Sequence, residues 1–272
     1  MKRENIKIAV VRIEGTNCEE ESYLAFKRLG ADAEKVHLKQ FTGDDVSADE
    51  KRALEDYDIL MIPGGFSSGD YIRAGVIFAA RFKSALKEDI TAFAESGRPI
   101  LGVCNGFQVL VEMGLLPSVE GEVTDVPQAV LATNDSSKFE CRPSLLIVQN
   151  NSKCVFTRSY ERGETVVFPS AHAEGKFMVK DDDTFKKLKE NGQVVFRYTS
   201  PEGKSVDYPW NPNGSIDNIA GICNPQGNVL GLMPHPERVF DGYTNPSWTR
   251  GQNKGDGRLL FKSVLDYVEE EF

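Results

Sequence analysis

Pro99-Ile100-Leu101-Gly102-Val103-Cys104-Asn105-Gly106-Phe107-Gln108-Val109-Leu110-Val111-Glu112-Met113 is the stretch on which the reading of this chain turns. Pro99 to Val103 is an apolar strand, and Asn105 to Met113 is a helix that leaves it with no linker. Cys104 therefore stands on a sharp strand-to-helix turn, the geometry of a nucleophile elbow with Cys in place of Ser. Gly102 and Gly106 suit such a crowded turn, because a Cβ at either would obstruct the approach of strand and helix. The helix N-terminus places positive potential and free N–H groups beside the sulfur, which favours thiolate. The Asn105 N–H is also available to a developing oxyanion. A buried structural cysteine would give the same local pattern, so a base and a second oxyanion donor decide the matter.

Outward from this segment, strand and helix signals alternate. Ile6 to Ile13 is a β-branched run of the kind found in strands buried on both faces. Cys18 to Leu29 follows as a helix closed by Gly30, then Asp32 to Leu38 as a second strand, and Asp58 to Ile62 as a third. Val76 to Ser96 is a long helix that ends at Gly97. This β-α-β order predicts an α/β fold, an open and mostly parallel sheet with helices on both faces. The second half is richer in strands, at 139–148, 166–168 and 194–198, with a hairpin of 219–222 and 229–233 around Asn224-Pro225-Gln226-Gly227-Asn228. Arg258 to Glu270 closes the chain as an amphipathic helix. No repeat or linker divides residues 1–272, which predicts one domain.

The base is found at Pro234-His235-Pro236-Glu237. Pro236 restricts His235 to extended backbone, and residues two apart in an extended run project to the same side. Glu237 can then reach the His235 ring and fix its tautomer, as a Cys-His-Glu triad requires. Both Cys104 and His235 end apolar strands, so both can stand at the carboxyl edge of one sheet, where open α/β sheets place their sites. The third strand ends in Pro63-Gly64-Gly65-Phe66-Ser67-Ser68-Gly69-Asp70. Its glycines let backbone N–H groups point into a site, and it lacks the Gly-Lys-Ser/Thr ending of a phosphate loop. The Gly65 N–H is the expected oxyanion donor and Phe66 the next.

Composition narrows the function classes. The chain has 272 residues, 40% hydrophobic and 27% charged, with a net charge of −9. That balance argues against general nucleic-acid binding, and no 18-residue apolar run suggests a membrane span. Five cysteines form no CxxC pair, and three histidines show no metal-ligand spacing, so neither a disulfide framework nor a metal site is expected. A reducing, cytoplasmic setting follows, with Cys18, Cys141, Cys154 and Cys223 as packing residues.

Taken together, the Gly-Val-Cys-Asn-Gly-Phe-Gln, His-Pro-Glu and Pro-Gly-Gly motifs resemble those of the triad-type (class I) glutamine amidotransferases. Pro63 to Gly75, Leu101 to Gln108, Lys138 to Arg142, Tyr208 to Gly221 and Met233 to Phe240 resemble one family within that class, the glutaminase subunits of phosphoribosylformylglycinamidine synthase. The resemblance implies a flavodoxin-like three-layer α/β/α sandwich with added antiparallel strands. It implies hydrolysis of L-glutamine by Cys104, His235 and Glu237, with Gly65 and Asn105 as the backbone oxyanion hole and Gly64, Phe66, Gln108, Ala173 and Glu174 at the substrate. It also implies delivery of ammonia to a large ATP-dependent synthase subunit that holds ATP and Mg and aminates formylglycinamide ribonucleotide, with a small third subunit left open. One segment departs from the pattern: in Ser170-Ala171-His172-Ala173-Glu174-Gly175, Ala173 stands where glycine is usual, which costs about 1 kcal/mol if φ there is positive. His172 is left open between the substrate loop, a structural role and a partner-facing one, and Gly242 to Gly257 is an added loop without an assigned purpose. Another amidotransferase of the class, serving GMP or carbamoyl phosphate synthesis, is disfavoured by the KFECR and NPNGS blocks. A cysteine peptidase of similar fold is not expected to carry Gln108 and His-Pro-Glu, and an inactive interaction subunit is not expected to keep the triad.

Overall fold

The strands that the sequence marks as continuously apolar are the ones buried on both faces. In the computed structural model, which describes residues 1–149, 152–203, 206–252 and 254–272, the elements run β1 (Lys7–Arg12), α1 (Glu19–Lys27), β2 (Asp32–His37), α2 (Leu38–Thr42), β3 (Ile59–Ile62), α3 (Val76–Glu95), β4 (Ile100–Val103) and α4 (Asn105–Glu112). They continue as β5 (Ala129–Thr133), β6 (Glu140–Val148), β7 (Thr165–His172), β8 (Glu174–Val179), α5 (Asp182–Glu190), β9 (Val194–Tyr198), β10 (Ile219–Cys223), β11 (Val229–Leu232) and α6 (Arg258–Glu271). Every residue of β3, β4 and β11 is buried, so helices must cover both sides of this part of the sheet. Phe26 of α1 meets Phe261 of α6 edge-on at 5.2 Å, and Phe107 of α4 stacks on Phe177 of β8 at 6.0 Å. The result is the expected three-layer α/β/α sandwich.

The main sheet is ordered β2-β1-β3-β4-β11-β10-β9-β6-β7, with β5 and β8 forming a separate pair. From β2 to β11 the neighbours are parallel, and from β11 to β7 they are antiparallel. The register places Ile62 beside Gly102 and Val103 beside Leu232. The chain segments that leave β3, β4 and β11 therefore emerge side by side at one sheet edge. Gly102 and Gly106 make the turn between β4 and α4 possible: a Cβ on Gly106 would stand 1.9 Å from the Ile62 carbonyl oxygen, and one on Gly102 would stand 2.5 Å from Leu110.

Four elements exceed the sequence reading: α2, β5, β8 and α5, while β7 runs from Thr165 to His172 instead of 166–168. The added loop from Gly242 to Gly257, apart from Asn253, which lies outside the described residues, is fastened to β7. Asp256 Oδ2 accepts from the Val167 N–H at 2.9 Å, its carbonyl accepts from Tyr160 at 2.7 Å, and Lys254 pairs with Glu164 at 2.7 Å. No helix among the described residues is long and apolar enough to cross a membrane.

Candidate active site

Three adjacent strand ends supply the chemistry. Cys104 follows β4 with φ 52° and ψ −107°, a conformation that non-glycine residues rarely adopt and that marks functional turns. The turn is held by the helix it opens and by the Cys104 N–H donating to Leu232 O at 2.8 Å. His235 follows β11 in extended backbone, with its N–H on the Pro169 carbonyl at 2.8 Å. Glu237 reaches the ring as expected, its Oε1 2.5 Å from His235 Nδ1. The route differs from the extended run of the sequence reading: Pro236 opens a 3-10 turn over Pro236–Val239, and this turn carries the carboxylate back to the ring.

Both partners of this pair are fully buried. Burial alone would pull the His235 pKa down, but the charge of Glu237, and next that of Cys104, holds it at about 10. His235 Nε2 is buried and has no hydrogen-bond partner, so it is the nitrogen left for the neighbouring sulfur and its substrate. Gly64 packs between the two groups: a Cβ there would lie 2.8 Å from the His235 ring and 3.2 Å from Cys104 Cβ. Gly64 thus sits behind the reacting groups, whereas Gly65, Phe66, Asp70, Cys104, Gln108 and Glu174 line a cavity of about 70 Å³ beside the sulfur.

Among the described residues the N–H groups of Gly65 and Asn105 take no hydrogen-bond partner, as expected for a glycine at φ 127° and for the first N–H of a helix. The Phe66 N–H, second in line from the sequence, instead donates to Gly15 O at 3.3 Å. The exposed Phe66 ring lies at the cavity. Gln108 lies on the same side as Cys104, with its amide already engaged: Nε2 donates to Glu174 O at 2.5 Å, and Oε1 accepts from Asn105 Nδ2 at 3.0 Å.

Ala173 also lines the cavity, and its φ is not positive, so alanine in place of glycine carries no left-handed strain there. His172 is packed into the wall of the same cavity. It is 3% exposed, its Nε2 meets Asn213 Nδ2 at 3.1 Å, and burial, then the charge of His235, depresses its pKa to about 3. Asn213 also donates to Gly175 O at 2.8 Å and to Tyr198 at 3.1 Å, while Ser215 Oγ accepts from the Phe177 N–H at 2.9 Å. The NPNGS block is therefore the buried polar brace of the cavity wall. In the KFECR block, Glu140 pairs with Arg142, and Arg142 lies over the Tyr208 ring at 4.8 Å.

Two cysteines depart from the packing role expected of them. Cys141 is exposed, while Cys154 and Cys223 are buried as expected. Cys18 is buried beside the triad, with its Sγ 3.0 Å from Arg238 Nη2. Cys18, His235 and Glu237 bring ligand-type atoms within 4.8 Å of one another, a cluster that sequence spacing could not show. A cation there would compete with the His235–Glu237 bond and meet the Arg238 guanidinium, so the arrangement suits proton transfer better than metal binding. Burial, then the charge of Glu237, pushes the Cys18 thiol up to about 12.

A thiol, an imidazole and a carboxylate on adjacent parallel strand ends, beside two free backbone N–H groups, are the parts of a triad-type amidotransferase. Comparison with known proteins agrees: the model of the CobB/CobQ-like glutamine amidotransferase domain matches residues 5–268. The phosphoribosylformylglycinamidine synthase subunit PurQ of Archaeoglobus fulgidus is 52% identical over 275 residues, covering 99% of this chain and 100% of that protein. Its counterpart in Picrophilus torridus is 46% identical over 257 residues, 94% of this chain and 96% of that one. The structure of PurLQS from Thermotoga maritima matches with a TM-score of 0.73 at 35% identity, covering 97% of this chain and 99% of the matched one. The chain belongs to the PurQ family of glutamine amidotransferases.

Proposed function

We propose that this chain, as one glutamine amidotransferase domain of 272 residues, hydrolyses L-glutamine to glutamate and ammonia for phosphoribosylformylglycinamidine synthase. The Cys104 thiolate attacks the side-chain amide carbon, and the oxyanion that forms is met by the N–H groups of Gly65 and Asn105. The His235 imidazolium gives its proton to the departing ammonia, leaving a glutamyl thioester on Cys104. The neutral ring then takes a proton from the water that hydrolyses the thioester, and Glu237 holds the ring throughout. The observation that carries this reading is the His235–Glu237 bond of 2.5 Å, formed where β11 ends beside the Cys104 turn of β4.

Ammonia passes from here to a large ATP-dependent synthase subunit, which holds ATP and Mg and converts formylglycinamide ribonucleotide to formylglycinamidine ribonucleotide in purine synthesis. A small third subunit completes the assembly. A reducing, cytoplasmic setting belongs to this reading and is supported by the five free thiols. The test is Cys104→Ala in the assembled complex. Glutamine-dependent synthesis should vanish while ammonia-dependent synthesis remains, and glutamate release by that variant would overturn the assignment.

A further inference from the structure

The Glu237 side chain is fully buried, and only one of its oxygens is engaged. Oε1 meets His235 Nδ1 at 2.5 Å, whereas Oε2 is buried with no hydrogen-bond partner among the described residues. While the ring is an imidazolium, the pair is neutral overall. Once the ring has given its proton to the departing ammonia, a buried carboxylate faces a neutral ring, which is costly without a counter-charge. A cation stands beside it. Arg238 follows Glu237 on the same 3-10 turn, Pro236–Val239, and its Nη2 donates to Cys18 Sγ at 3.0 Å. That sulfur lies within 4.8 Å of both the Glu237 carboxylate and a His235 ring nitrogen. Burial, then the charge of Glu237, keeps Cys18 a neutral thiol. Arg238 forms no salt bridge among the described residues, so an uncharged acceptor anchors its charge and no carboxylate of its own cancels it. Glu21 of α1 also acts on it, but less than Glu237 does.

We propose that Arg238, anchored by Cys18, is a positioning residue that supplies the counter-charge to Glu237 while His235 is neutral, and so lets His235 act as base in thioester hydrolysis. This rests on the glutaminase reading and deepens it. In that step the water oxygen bonds to the thioester carbon and the ring takes the water proton. The carbon–sulfur bond then breaks, which restores the Cys104 thiolate and the His235 imidazolium. Without the guanidinium the carboxylate would hold the ring proton more tightly, and less neutral base would be present at a given pH. The other groups around the pair do not supply this charge. In the thioester the Cys104 sulfur is uncharged, and His172 of β7 is neutral, its pKa depressed to about 3 by burial, then by the charge of His235. Arg258 of α6 lies over the Phe240 ring at 5.2 Å, and Arg28 pairs with Asp241 at 2.5 Å. Asp256 accepts from the Val167 N–H at 2.9 Å.

The test follows decay of the glutamyl thioester in the assembled synthase, loaded with radiolabelled glutamine and acid-quenched over a range of pH. Wild-type complex is set beside complexes carrying Arg238→Gln, Arg238→Met or Arg238→Lys. The two uncharged variants should move the midpoint of the hydrolysis rate to higher pH by about one unit. Below the midpoint this slows decay about tenfold, so the thioester accumulates. Arg238→Lys keeps the charge and should restore most of the midpoint. Arg238→Met keeps an apolar stem, and it serves as the uncharged form if Arg238→Gln does not fold. A midpoint does not depend on the amount of folded enzyme, so a merely structural loss does not imitate the shift. A slower rate with an unmoved midpoint overturns the role, as does Arg238→Lys shifted as far as the uncharged variants. Wild-type complex that forms no thioester and releases no glutamate sinks the glutaminase reading and the role with it. Normal wild-type turnover with an unmoved midpoint in the variants sinks the role alone.

Discussion

Glu237→Gln isolates the part of the triad that carries charge without moving a proton. In the native site His235 is held at about 10 against an ordinary 6.5, and 10 − 6.5, at 1.36 kcal/mol per pH unit, favours the imidazolium by on the order of 5 kcal/mol. Glu237 is the largest favourable contribution, and it acts against burial, which would otherwise deprotonate the ring. Glutamine at position 237 keeps the size and an acceptor oxygen but removes the charge. A charge-assisted hydrogen bond is worth about 1.5–3 kcal/mol over its loss, so glutaminase kcat should fall about 10- to 100-fold. His235→Ala removes the proton donor itself and should fall at least about tenfold further. The pH dependence has a definite sign. A ring whose pKa is raised in the folded state stabilises the fold fully below pH 6.5, and this contribution is lost as pH rises toward 10. Wild-type stability should therefore decline across that window more steeply than that of Glu237→Gln, and the alkaline limb of activity should move to lower pH in the variant. Denaturant melts at pH 6 to 10 and glutamate release by the complex measure the two effects. Equal inactivation by both substitutions in folded protein, or pH-stability slopes that coincide, would refute this division of labour.

Three further outcomes follow from the same geometry. Gly106→Ala forces a Cβ to within 1.9 Å of the Ile62 carbonyl oxygen, so it should lower stability by about 2 kcal/mol or more in a urea melt; an unchanged midpoint would show that the turn has slack. Asn213→Leu removes the partner of His172 Nε2 and leaves the Gly175 carbonyl to Ser215 Oγ at 3.4 Å, with an expected loss of about 1–3 kcal/mol. It should also raise KM for glutamine, since the braced segment lines the cavity, and a wild-type KM would separate the brace from the site. Iodoacetamide at neutral pH should alkylate Cys104 and the exposed Cys141 but spare Cys18, whose thiol is buried and pushed up to about 12; peptide mass mapping that finds Cys18 modified first would contradict this.

How far these features could be read without coordinates depends on the range of the interactions behind them. The strands β1, β3, β4 and β11 announce themselves because burial on both faces leaves an uninterrupted apolar run, and Cys104, His235 and Glu237 occupy the ends of two such runs. α5 is obscure because only Phe185 and Leu188 interrupt its polar residues, and its start rests on the Asp181 side chain capping Thr184 at 2.8 Å. Among the described residues β5 and β8 pair only with each other, and β8 begins within a segment whose resemblance suggests a substrate loop. Cys18 and Asp70 carry no local signal at all. Cys18 meets its neighbour Arg238 across 220 positions, and Asp70, in the 3-10 turn after β3, becomes a cavity residue only when Glu174 of β8 lines the same cavity.

The two halves of the sheet contribute differently to the site. The parallel half supplies reactivity, because three adjacent strands end in register and each delivers one part of the chemistry. The antiparallel half supplies the opposite wall. β7 accepts the His235 N–H at Pro169 and the Cys104 thiol at Ala171, 3.7 Å away, and its far end leads directly into Ala173 and Glu174. Asn213 and Ser215 then fasten this wall to β8 from behind. Exposed Phe139, Tyr208 and Trp210 belong to the same half, and Phe139 reaches the cavity itself. A displacement of the wall would therefore be felt at His235 through its backbone hydrogen bond as well as at the bound amino acid.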